Sequence, residues 1–261
     1  VEESIEISKI YSVSGLLTEK EPLVKIRPFR APHHTVSVQA LTGGGRRPKP
    51  GEISLATGGI LFLDELPEFS RAALETLRQP LEDREVTVSR VEATVTYPAN
   101  FQLVAAMNPC PCGHFPDLAR CRCTEGQITR YLQKISGPLL DRIDLCVEAS
   151  PVTYGDVRGG GENEASGAIR ARVEQAREIQ KERFMEENIR CNGEMAGRHI
   201  RKYCVLGKEE ETFMEEIFEK LALSARMHDR ILKVARTTAD LAGESKIRLS
   251  DLCEAVSYVK S

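Results

Sequence analysis

The sequence has 261 residues, of which 41% are hydrophobic and 29% charged, a composition typical of a folded protein with one large or two modest cores. Its 36 basic and 39 acidic side chains give a net charge of −3, so contact with nucleic acid requires a local basic patch. No apolar run approaches the roughly 20 residues of a membrane helix, and no signal peptide is recognisable. These features argue against membrane insertion and secretion and favour the cytoplasm.

The first distinctive segment in chain order is basic and contains no acid. Its positive residues are Lys25, Arg27, Arg30, Arg46, Arg47 and Lys49. Such a patch predicts contact with phosphates, and we assign Arg46, Arg47 and Lys49 to a nucleic-acid surface. The alternative is a solvated loop whose arginines pair with acids elsewhere. For the adjacent His33 and His34 we expect polar packing or phosphate contact rather than metal binding.

The apolar run Ile60–Leu63 leads directly into Asp64 and Glu65. This pattern predicts a strand buried on both faces of a parallel sheet. Two carboxylates at the carboxyl end of such a strand lie where open α/β sheets bind ligands. Asp64 is suited to hold Mg²⁺, and Glu65 is suited to orient an attacking water in phosphoryl transfer. The alternative is a solvated acidic turn.

A helix and a hairpin are predicted next. Ser70 is a candidate cap for a helix whose apolar face consists of Leu74, Leu77 and Leu81. The alternation of Val with Thr and Ser between Glu85 and Tyr97 predicts a β-hairpin. Together with the preceding strand, these elements indicate the α/β class.

The next strand is predicted over Phe101–Met107 and is followed by Asn108. The neutral amide of Asn108 is suited to bond a γ-phosphate or the attacking water without adding charge. Because Pro109 follows, the alternative is that Asn108 is an ordinary turn residue.

Two close pairs of cysteines come directly after this strand: Cys110, Cys112, Cys121 and Cys123. Four thiols within 14 residues, in a loop that also contains Gly and Pro, predict a structural four-cysteine zinc site. Disulfides are the main alternative, and His114 is a possible substitute for one thiolate. The remaining cysteines are interpreted as buried free thiols: Cys146, Cys191, Cys204 and Cys253.

Arg142 follows a short apolar segment, and Leu145–Val147 is predicted to form a further strand. Arg142 is interpreted either as a surface ion pair with a neighbouring aspartate or as a finger that reaches a neighbour's phosphates. The glycine-rich segment Tyr154–Gly167 has the composition of a linker, which puts a domain boundary near Ser150.

Beyond this boundary every predicted element is helical. The predicted helices cover Ala168–Phe184, Ile200–Cys204, Glu209–Leu221, Ala225–Leu241 and Asp251–Val259, the last behind a Ser250 cap. On these helices we expect His199 and His228 to be surface residues.

Several blocks of this sequence resemble the magnesium-chelatase-like YifB/ComM family of AAA+ ATPases. The blocks are Arg27–His34, Pro50–Ala56, Gly59–Glu65, Met107–Gly113, Gly137–Leu145, Ser224–Arg226 and Ile231–Thr237. The resemblance implies that Asp64 and Glu65 form the Walker B motif and that Asn108 is sensor 1. It also implies that Arg142 is a trans-acting arginine finger and that Arg226 is sensor 2 in a helical lid. The basic segment and the hairpin resemble pore-facing elements of ring-shaped relatives.

One departure from the family is the absence of a Gly-x-x-x-x-Gly-Lys-Ser/Thr phosphate loop anywhere in the sequence. In the family this loop lies N-terminal to the segment present here, which implies that the chain is the C-terminal part of a longer protein. We therefore assign ATPase activity to the parent and expect this chain alone to be inactive.

The resulting prediction is an α/β fold with a partial AAA+ core and parallel sheet over residues 1–150, including the zinc loop. An all-α lid follows over residues 151–261. The resemblance implies that the parent is a homo-oligomeric ring, a hexamer. It also implies that the ring uses ATP and Mg²⁺ to move DNA as a branch-migration helicase in recombination or natural transformation. The alternatives are a chelatase-type motor that remodels a protein partner and a non-catalytic, zinc-stabilised binding module.

Overall fold

The computed structural model describes residues 2–45, 48–89, 94–149, 154–159 and 164–259. Two compact units make up the chain, Val1–Ile143 and Asp144–Ser261. Ser150, where the sequence places the boundary, lies outside the described residues. Among the helices that are described, none is both long enough and apolar enough to cross a bilayer.

The first unit is a mixed α/β structure. Its helices are α1 (Glu2–Ser14), α2 (Val38–Thr42), α3 (Glu52–Leu55), α4 (Arg71–Glu75), α5 (Arg78–Asp83), α6 (Glu125–Leu132) and α7 (Gly137–Leu140). Its strands are β1 (Phe29–Arg30), β2 (Gly43–Gly44), β3 (Lys49–Pro50), β4 (Ile60–Leu63), β5 (Glu85–Ser89), β6 (Thr94–Pro98) and β7 (Gln102–Ala105). A single-turn 3₁₀ helix, Leu66–Glu68, follows β4.

A parallel three-stranded sheet in the order β1-β4-β7 positions the candidate site. Ile60 pairs with Gln102 and Leu63 with Ala105, so β4 and β7 end side by side. The two predicted strands are confirmed, but the prediction that Ile60–Leu63 is buried on both faces is wrong. Leu61 and Leu63 are fully buried, whereas Phe62 on the opposite face is half-buried and stacks on the exposed Phe29.

The segment after Ser70 forms two short helices instead of one. Ser70 caps α4 as predicted, because its hydroxyl accepts a hydrogen bond from the Ala73 N–H. The helix is interrupted before Pro80, whose ring has no N–H to donate and crowds the carbonyl of the residue four positions earlier. Leu74 and Leu77 are still buried in the core, which confirms the predicted apolar face.

The hairpin is confirmed as the antiparallel pair β5 and β6. Val86 and Val88 point into the core, while Thr87 and Thr96 face each other on the exposed side with their hydroxyls 3.1 Å apart. The alternation of Val with Thr and Ser in the sequence therefore corresponds to the buried and exposed faces of the hairpin. Residues 90–93 at its tip lie outside the described part of the chain.

The regular secondary structure described in the second unit is all helical. Its helices are α8 (Tyr154–Gly159), α9 (Ser166–Arg183), α10 (Gly197–Tyr203), α11 (Lys208–Lys220), α12 (Ala225–Leu241) and α13 (Leu249–Ser257). A single-turn 3₁₀ helix, Asn192–Glu194, lies between α9 and α10. The predicted helices are confirmed within a few residues. Part of the expected linker is instead helix α8, and Ser250 lies inside α13, whose cap is Arg248 with its N–H bonded to Asp251.

Three local predictions in this unit are wrong. Leu145–Val147 has no strand conformation, and the Cys146 N–H donates to the carbonyl of Tyr258. His199 is buried, and its Nδ1 caps α10 by accepting a hydrogen bond from the Ala196 N–H. Cys253 is exposed on α13 rather than buried.

A buried ionic network lies inside the second unit. Asp240 on α12 is fully buried and accepts hydrogen bonds from Arg183 on α9 at 2.5 and 2.7 Å. It also accepts from Asn192 at 2.8 Å and from Arg236 at 3.1 Å. One carboxylate thus connects two helices and the loop between α9 and α10.

Candidate functional site

The two predicted carboxylates and the amide lie at the same edge of the sheet. Asp64 and Glu65 follow β4 directly, and Asn108 lies three residues beyond the end of β7. The strand ends stay together past the sheet, because the Leu66 N–H donates to the carbonyl of Ala106 at 3.0 Å. The side chains of Asp64, Glu65 and Asn108 are all exposed at this edge. This is where parallel α/β sheets bind ligands.

A sharp backbone turn separates the two carboxylates. Glu65 adopts a left-handed conformation, with φ 52° and ψ 45°, which is uncommon for a residue other than glycine. The Asp64 carboxylate supports the turn by accepting the Glu65 N–H at 2.8 Å. Residues held in such conformations cluster at functional sites.

His34 reaches the same edge from the segment that follows β1. Its Nε2 lies 3.7 Å from a carboxylate oxygen of Glu65, and its ring packs edge-on against Phe69. The sequence predicted polar packing or phosphate contact for this histidine. In the structure its polar neighbour is the carboxylate that the sequence singled out for water activation.

The four predicted cysteines form one cluster next to Asn108. Their sulfurs all lie within 4.8 Å of one another. The Sγ of Cys110 is 3.4 Å from that of Cys112 and 3.8 Å from that of Cys121, and the Cys112 and Cys121 sulfurs are 3.6 Å apart. All eight cysteines of the chain are free thiols, which disagrees with the disulfide alternative.

The geometry of this cluster fits a tetrahedral zinc ion. Zinc–sulfur bonds of about 2.3 Å place the four sulfurs about 3.8 Å apart, close to the separations observed here. Backbone N–H groups of His114 and Arg122 lower the pKa of Cys112 to about 6, which favours a metal-binding thiolate. Burial, together with the neighbouring thiols, raises the pKa of Cys123 to about 12. A metal cation bound by the four sulfurs would let all of them ionise together.

Arg142 is engaged within its own unit. Its guanidinium forms an ion pair with Glu82 and donates to the carbonyl of Pro138 at 2.6 Å. The ion pair predicted with Asp141 or Asp144 is thus replaced by one with α5, 60 residues earlier in the sequence. The pair lines an open cleft of about 330 Å³ together with Glu75, Arg78, Gln79 and Asp83.

Arg226, the predicted sensor 2 residue, lies in the second unit. It is exposed in the first turn of α12, whose cap is the Ser224 hydroxyl bonded to the Met227 N–H. The structure thus puts it at a helix start within its own unit, and its role stays a prediction.

Two arginines of the basic segment form ion pairs within the chain. Arg30 forms a two-pronged ion pair with Glu52 at 2.6 and 2.7 Å, which raises the pKa of Arg30, and Arg27 pairs with Glu3 at 2.8 Å. For these two arginines the alternative reading, pairing with acids elsewhere, is confirmed. Lys49 is exposed at the start of β3, and Arg46 and Arg47 lie outside the described residues.

Sequence reasoning missed two contacts of the predicted site residues. They are the ion pair of Glu82 with Arg142 and the approach of His34 to Glu65. The two residues of each contact are far apart in sequence, so no local pattern indicates either contact.

Residues 1–157 match the family model of the magnesium chelatase subunit ChlI, and residues 163–259 match the model of the C-terminal part of that subunit. The chain therefore belongs to this family, and its α/β unit and helical region correspond to a partial AAA+ core and a helical lid.

Within the family, the sequence is 50% identical over 235 residues to the competence protein ComM of Haemophilus influenzae, covering 90% of this chain and 45% of ComM. It is 45% identical over 258 residues to the uncharacterized protein YifB of Salmonella typhimurium, covering 98% of this chain and 50% of YifB. An uncharacterized protein of Mycobacterium bovis, Mb2921c, is 41% identical over 257 residues. The chain spans about half the length of these curated relatives.

Proposed function

We propose that this chain supplies the Walker B, sensor and lid residues of an ATP-driven ring motor that acts on DNA. The observation that carries the proposal is the convergence of Asp64, Glu65 and Asn108 at the carboxyl edge of two adjacent parallel strands. Carboxylate and amide side chains at such an edge suit a nucleotide and its magnesium ion.

Each residue has a separate task in this proposal. Asp64 would hold a magnesium ion through water, and a bound ion would supply positive charge beside the phosphate oxygens. Glu65 accepts a hydrogen bond from the attacking water and orients it, and Asn108 donates its amide N–H to the water or the γ-phosphate. The proposal also requires a phosphate loop, and the motif for one is not among these 261 residues.

Arg142 acts across a subunit interface in this proposal. It stabilises charge on the phosphate of a neighbour's nucleotide, as an arginine finger does. Since the guanidinium is paired with Glu82 in this chain, it has to exchange a carboxylate for a phosphate when subunits assemble. Arg226 is assigned to the γ-phosphate as sensor 2, and a homohexamer in the cytoplasm is the proposed assembly.

The cysteine cluster is assigned to a structural zinc ion. Cys110, Cys112, Cys121 and Cys123 fill all four tetrahedral positions and leave none open for a substrate. A zinc ion held there would stabilise the loop and would take no part in hydrolysis.

The DNA substrate is proposed from two observations. A relative is named competence protein ComM, and we carry the association with competence to this chain. The sequence also contains the basic residues Arg46, Arg47 and Lys49 in a segment without acids. Together they favour branch migration of DNA in recombination or natural transformation.

A chelatase-type motor that remodels a protein partner is the second candidate. It is favoured by the family itself, whose model describes a magnesium chelatase subunit. A protein partner combined with no affinity for DNA would support this candidate.

The first prediction tests whether Glu65 orients the attacking water, in a full-length protein that contains a phosphate loop. Glu65→Gln keeps the shape of the side chain but removes the charge that orients the water, so we expect hydrolysis to fall by about 10²–10⁴-fold. Nucleotide binding should persist. Glu178→Gln, at an exposed ion pair on α9, is the matched control. Hydrolysis at the wild-type rate in Glu65→Gln would contradict the proposal.

The second prediction concerns this chain by itself. Asp64 and Asn108 contact only the edge of a triphosphate, so we expect no saturable heat in the micromolar range when a nonhydrolysable ATP analogue and Mg²⁺ are titrated into it. Micromolar binding would show that the chain contains a phosphate cradle of another kind.

The third prediction concerns DNA binding by the full-length ring. Replacing both Arg46 and Arg47 with alanine should weaken binding equally for unrelated sequences, since phosphate contacts carry no sequence information. The slope of log K against log salt should become shallower by about two units. Normal DNA binding with lost basal hydrolysis would assign the patch to a nucleotide or subunit interface and favour the chelatase-type candidate.

A further inference from the structure

The loop that carries the four cysteines, residues 110–124, has an exposed surface outside the sulfur cluster. We call it the cysteine loop. Every residue over 111–120 is exposed, whereas Cys110 is fully buried. Two of the exposed side chains are apolar: Phe115 is 40% exposed and Leu118 is 82% exposed. Two large apolar side chains left in water within four positions of one loop indicate a surface that a partner covers.

Hydrogen bonds to the cysteines determine where this surface lies. The Phe115 N–H donates to the Sγ of Cys110 at 3.4 Å. The Gly113 N–H donates to the carbonyl of Cys110 at 3.0 Å, and the Cys121 N–H donates to the carbonyl of Asp117 at 2.7 Å. Each of these bonds involves a cysteine of the cluster. The arrangement of the four sulfurs therefore fixes the position of the Phe115 ring.

Two arginines of the same loop have no partner in the part of the chain that the structure describes. Arg120 and Arg122 are exposed, and their side chains form neither an ion pair nor a hydrogen bond with any described residue. The single acid of the loop is Asp117, whose carboxylate accepts the Ala119 N–H at 3.0 Å. The two guanidinium groups are therefore available to an anionic partner.

An exposed aromatic ring beside unpaired arginines has the chemistry of a surface for single-stranded nucleic acid. Bases stack on aromatic rings whatever their sequence, and guanidinium groups bind phosphate oxygens in two-pronged hydrogen bonds. A single strand supplies both groups in every nucleotide, whereas a protein partner would need an apolar side chain and two acids at matching positions. A duplex keeps its bases stacked on one another and offers no free face to the ring.

We propose that the cysteine loop is a contact surface for single-stranded DNA, in which Phe115 stacks on a base and Arg120 and Arg122 bind phosphates. The inference rests on the proposed function and deepens it, since it names a DNA contact separate from the basic segment. Four thiolates with one zinc ion would carry a net negative charge beside these arginines. Stacking therefore contributes more to the affinity than charge does.

The first test measures binding of a fluorescein-labelled oligothymidine of about 16 nucleotides to this chain by fluorescence anisotropy. Phe115→Ala removes the ring. The matched control is Phe218→Ala on α11, which removes a second aromatic ring that is also 40% exposed. Zinc content is measured for every variant, and neither substitution removes a sulfur of the cluster.

We expect Phe115→Ala to raise the Kd for the oligonucleotide about tenfold, because the base loses its stacking partner. The Kd of Phe218→Ala and the zinc content of both variants should stay at the wild-type values. Removal of zinc by a chelator should raise the wild-type Kd by a similar factor, since Phe115 is then no longer held in place. The same treatment should add little in Phe115→Ala.

The second test measures the contribution of charge. Replacing both Arg120 and Arg122 with alanine should make the slope of log K against log salt shallower by about 1.4 units, the value for two phosphate contacts on a single strand. The matched control replaces Arg170 and Arg177, two exposed arginines on α9, and removes the same charge from the other unit. Its salt slope should equal that of the wild type.

Four results would overturn the inference. They are no saturable oligonucleotide binding by the wild-type chain, equal affinities of Phe115→Ala and Phe218→Ala, equal salt slopes of the two double variants, and binding that is unchanged when zinc is removed. Sedimentation gives a further check. A Phe115→Ala chain with an altered oligomeric state and normal DNA affinity would assign the loop to an interface between copies of this chain.

A full-length protein separates this inference from the proposed function. If its binding of single-stranded DNA weakens when Arg46 and Arg47 are replaced but not when Phe115 is replaced, the inference is wrong and the proposed DNA substrate stands. If the full-length wild type binds no DNA, both are wrong. Weakening by Phe115→Ala in the full-length protein as well as in this chain supports both.

Discussion

Replacing Cys121 with serine is expected to abolish zinc binding and to lower the free energy of unfolding of this chain by at least about 3 kcal/mol. Metal bound by the folded but not the unfolded state adds its binding free energy to folding, and structural zinc sites contribute about 10–16 kcal/mol in small peptides. The effect is smaller here, because the first unit has a core of its own. Elemental analysis of protein purified without added metal, together with chemical denaturation, measures both quantities.

The control for this prediction is Cys253→Ser, since Cys253 is a free, exposed thiol on α13. It should retain one zinc per chain and wild-type stability. Disulfide bonds among Cys110, Cys112, Cys121 and Cys123 in the purified protein, with no metal, would contradict the zinc assignment.

Replacing Asp240 with asparagine is expected to destabilise the helical unit by about 3–5 kcal/mol. The substitution removes the only carboxylate described in contact with both Arg183 and Arg236, whose side chains are 13% and 3% exposed. Two guanidinium groups are then left in a protein interior without a neutralising charge. Removing one partner of a buried ion pair is costly for this reason, even where the pair itself adds little stability.

Chemical denaturation of the chain measures this loss. The matched control is Asp229→Asn on the same helix, where the carboxylate is 45% exposed beside His228 and a change within about 0.5 kcal/mol is expected. Similar stabilities for the two variants would mean that water solvates the two guanidinium groups in place of the Asp240 carboxylate.

The sequence alone identified the features that depend on neighbouring residues. The run Ile60–Leu63 predicted a strand because a short apolar run ending in acids has few other stable conformations in a folded chain. Asp64 and Asn108 could be placed at one edge of the sheet because residues that follow parallel strands emerge on the same side. The cysteine cluster was equally local, since all four sulfurs come from a single loop.

Tertiary structure decided the features that depend on elements far apart in sequence. The pairing of Arg142 with Glu82 joins residues 60 positions apart, and that of Arg183 with Asp240 joins residues 57 positions apart. From the sequence alone, any exposed acidic residue is an equally good candidate partner for Arg142. Local charge patterns therefore suggested the neighbouring aspartates, which is wrong. Burial of His199 was missed for a similar reason, because its solvent exposure depends on how α10 packs.

The sequence by itself therefore determined which residues have the chemistry of a nucleotide edge and a zinc site, because strand ends and loop spacing are local properties. Only the tertiary structure showed what holds them. His34 faces Glu65 because β1, which precedes His34, pairs with β4, which precedes Glu65. Packing of this kind depends on the shape of the whole core, which no short window of sequence contains.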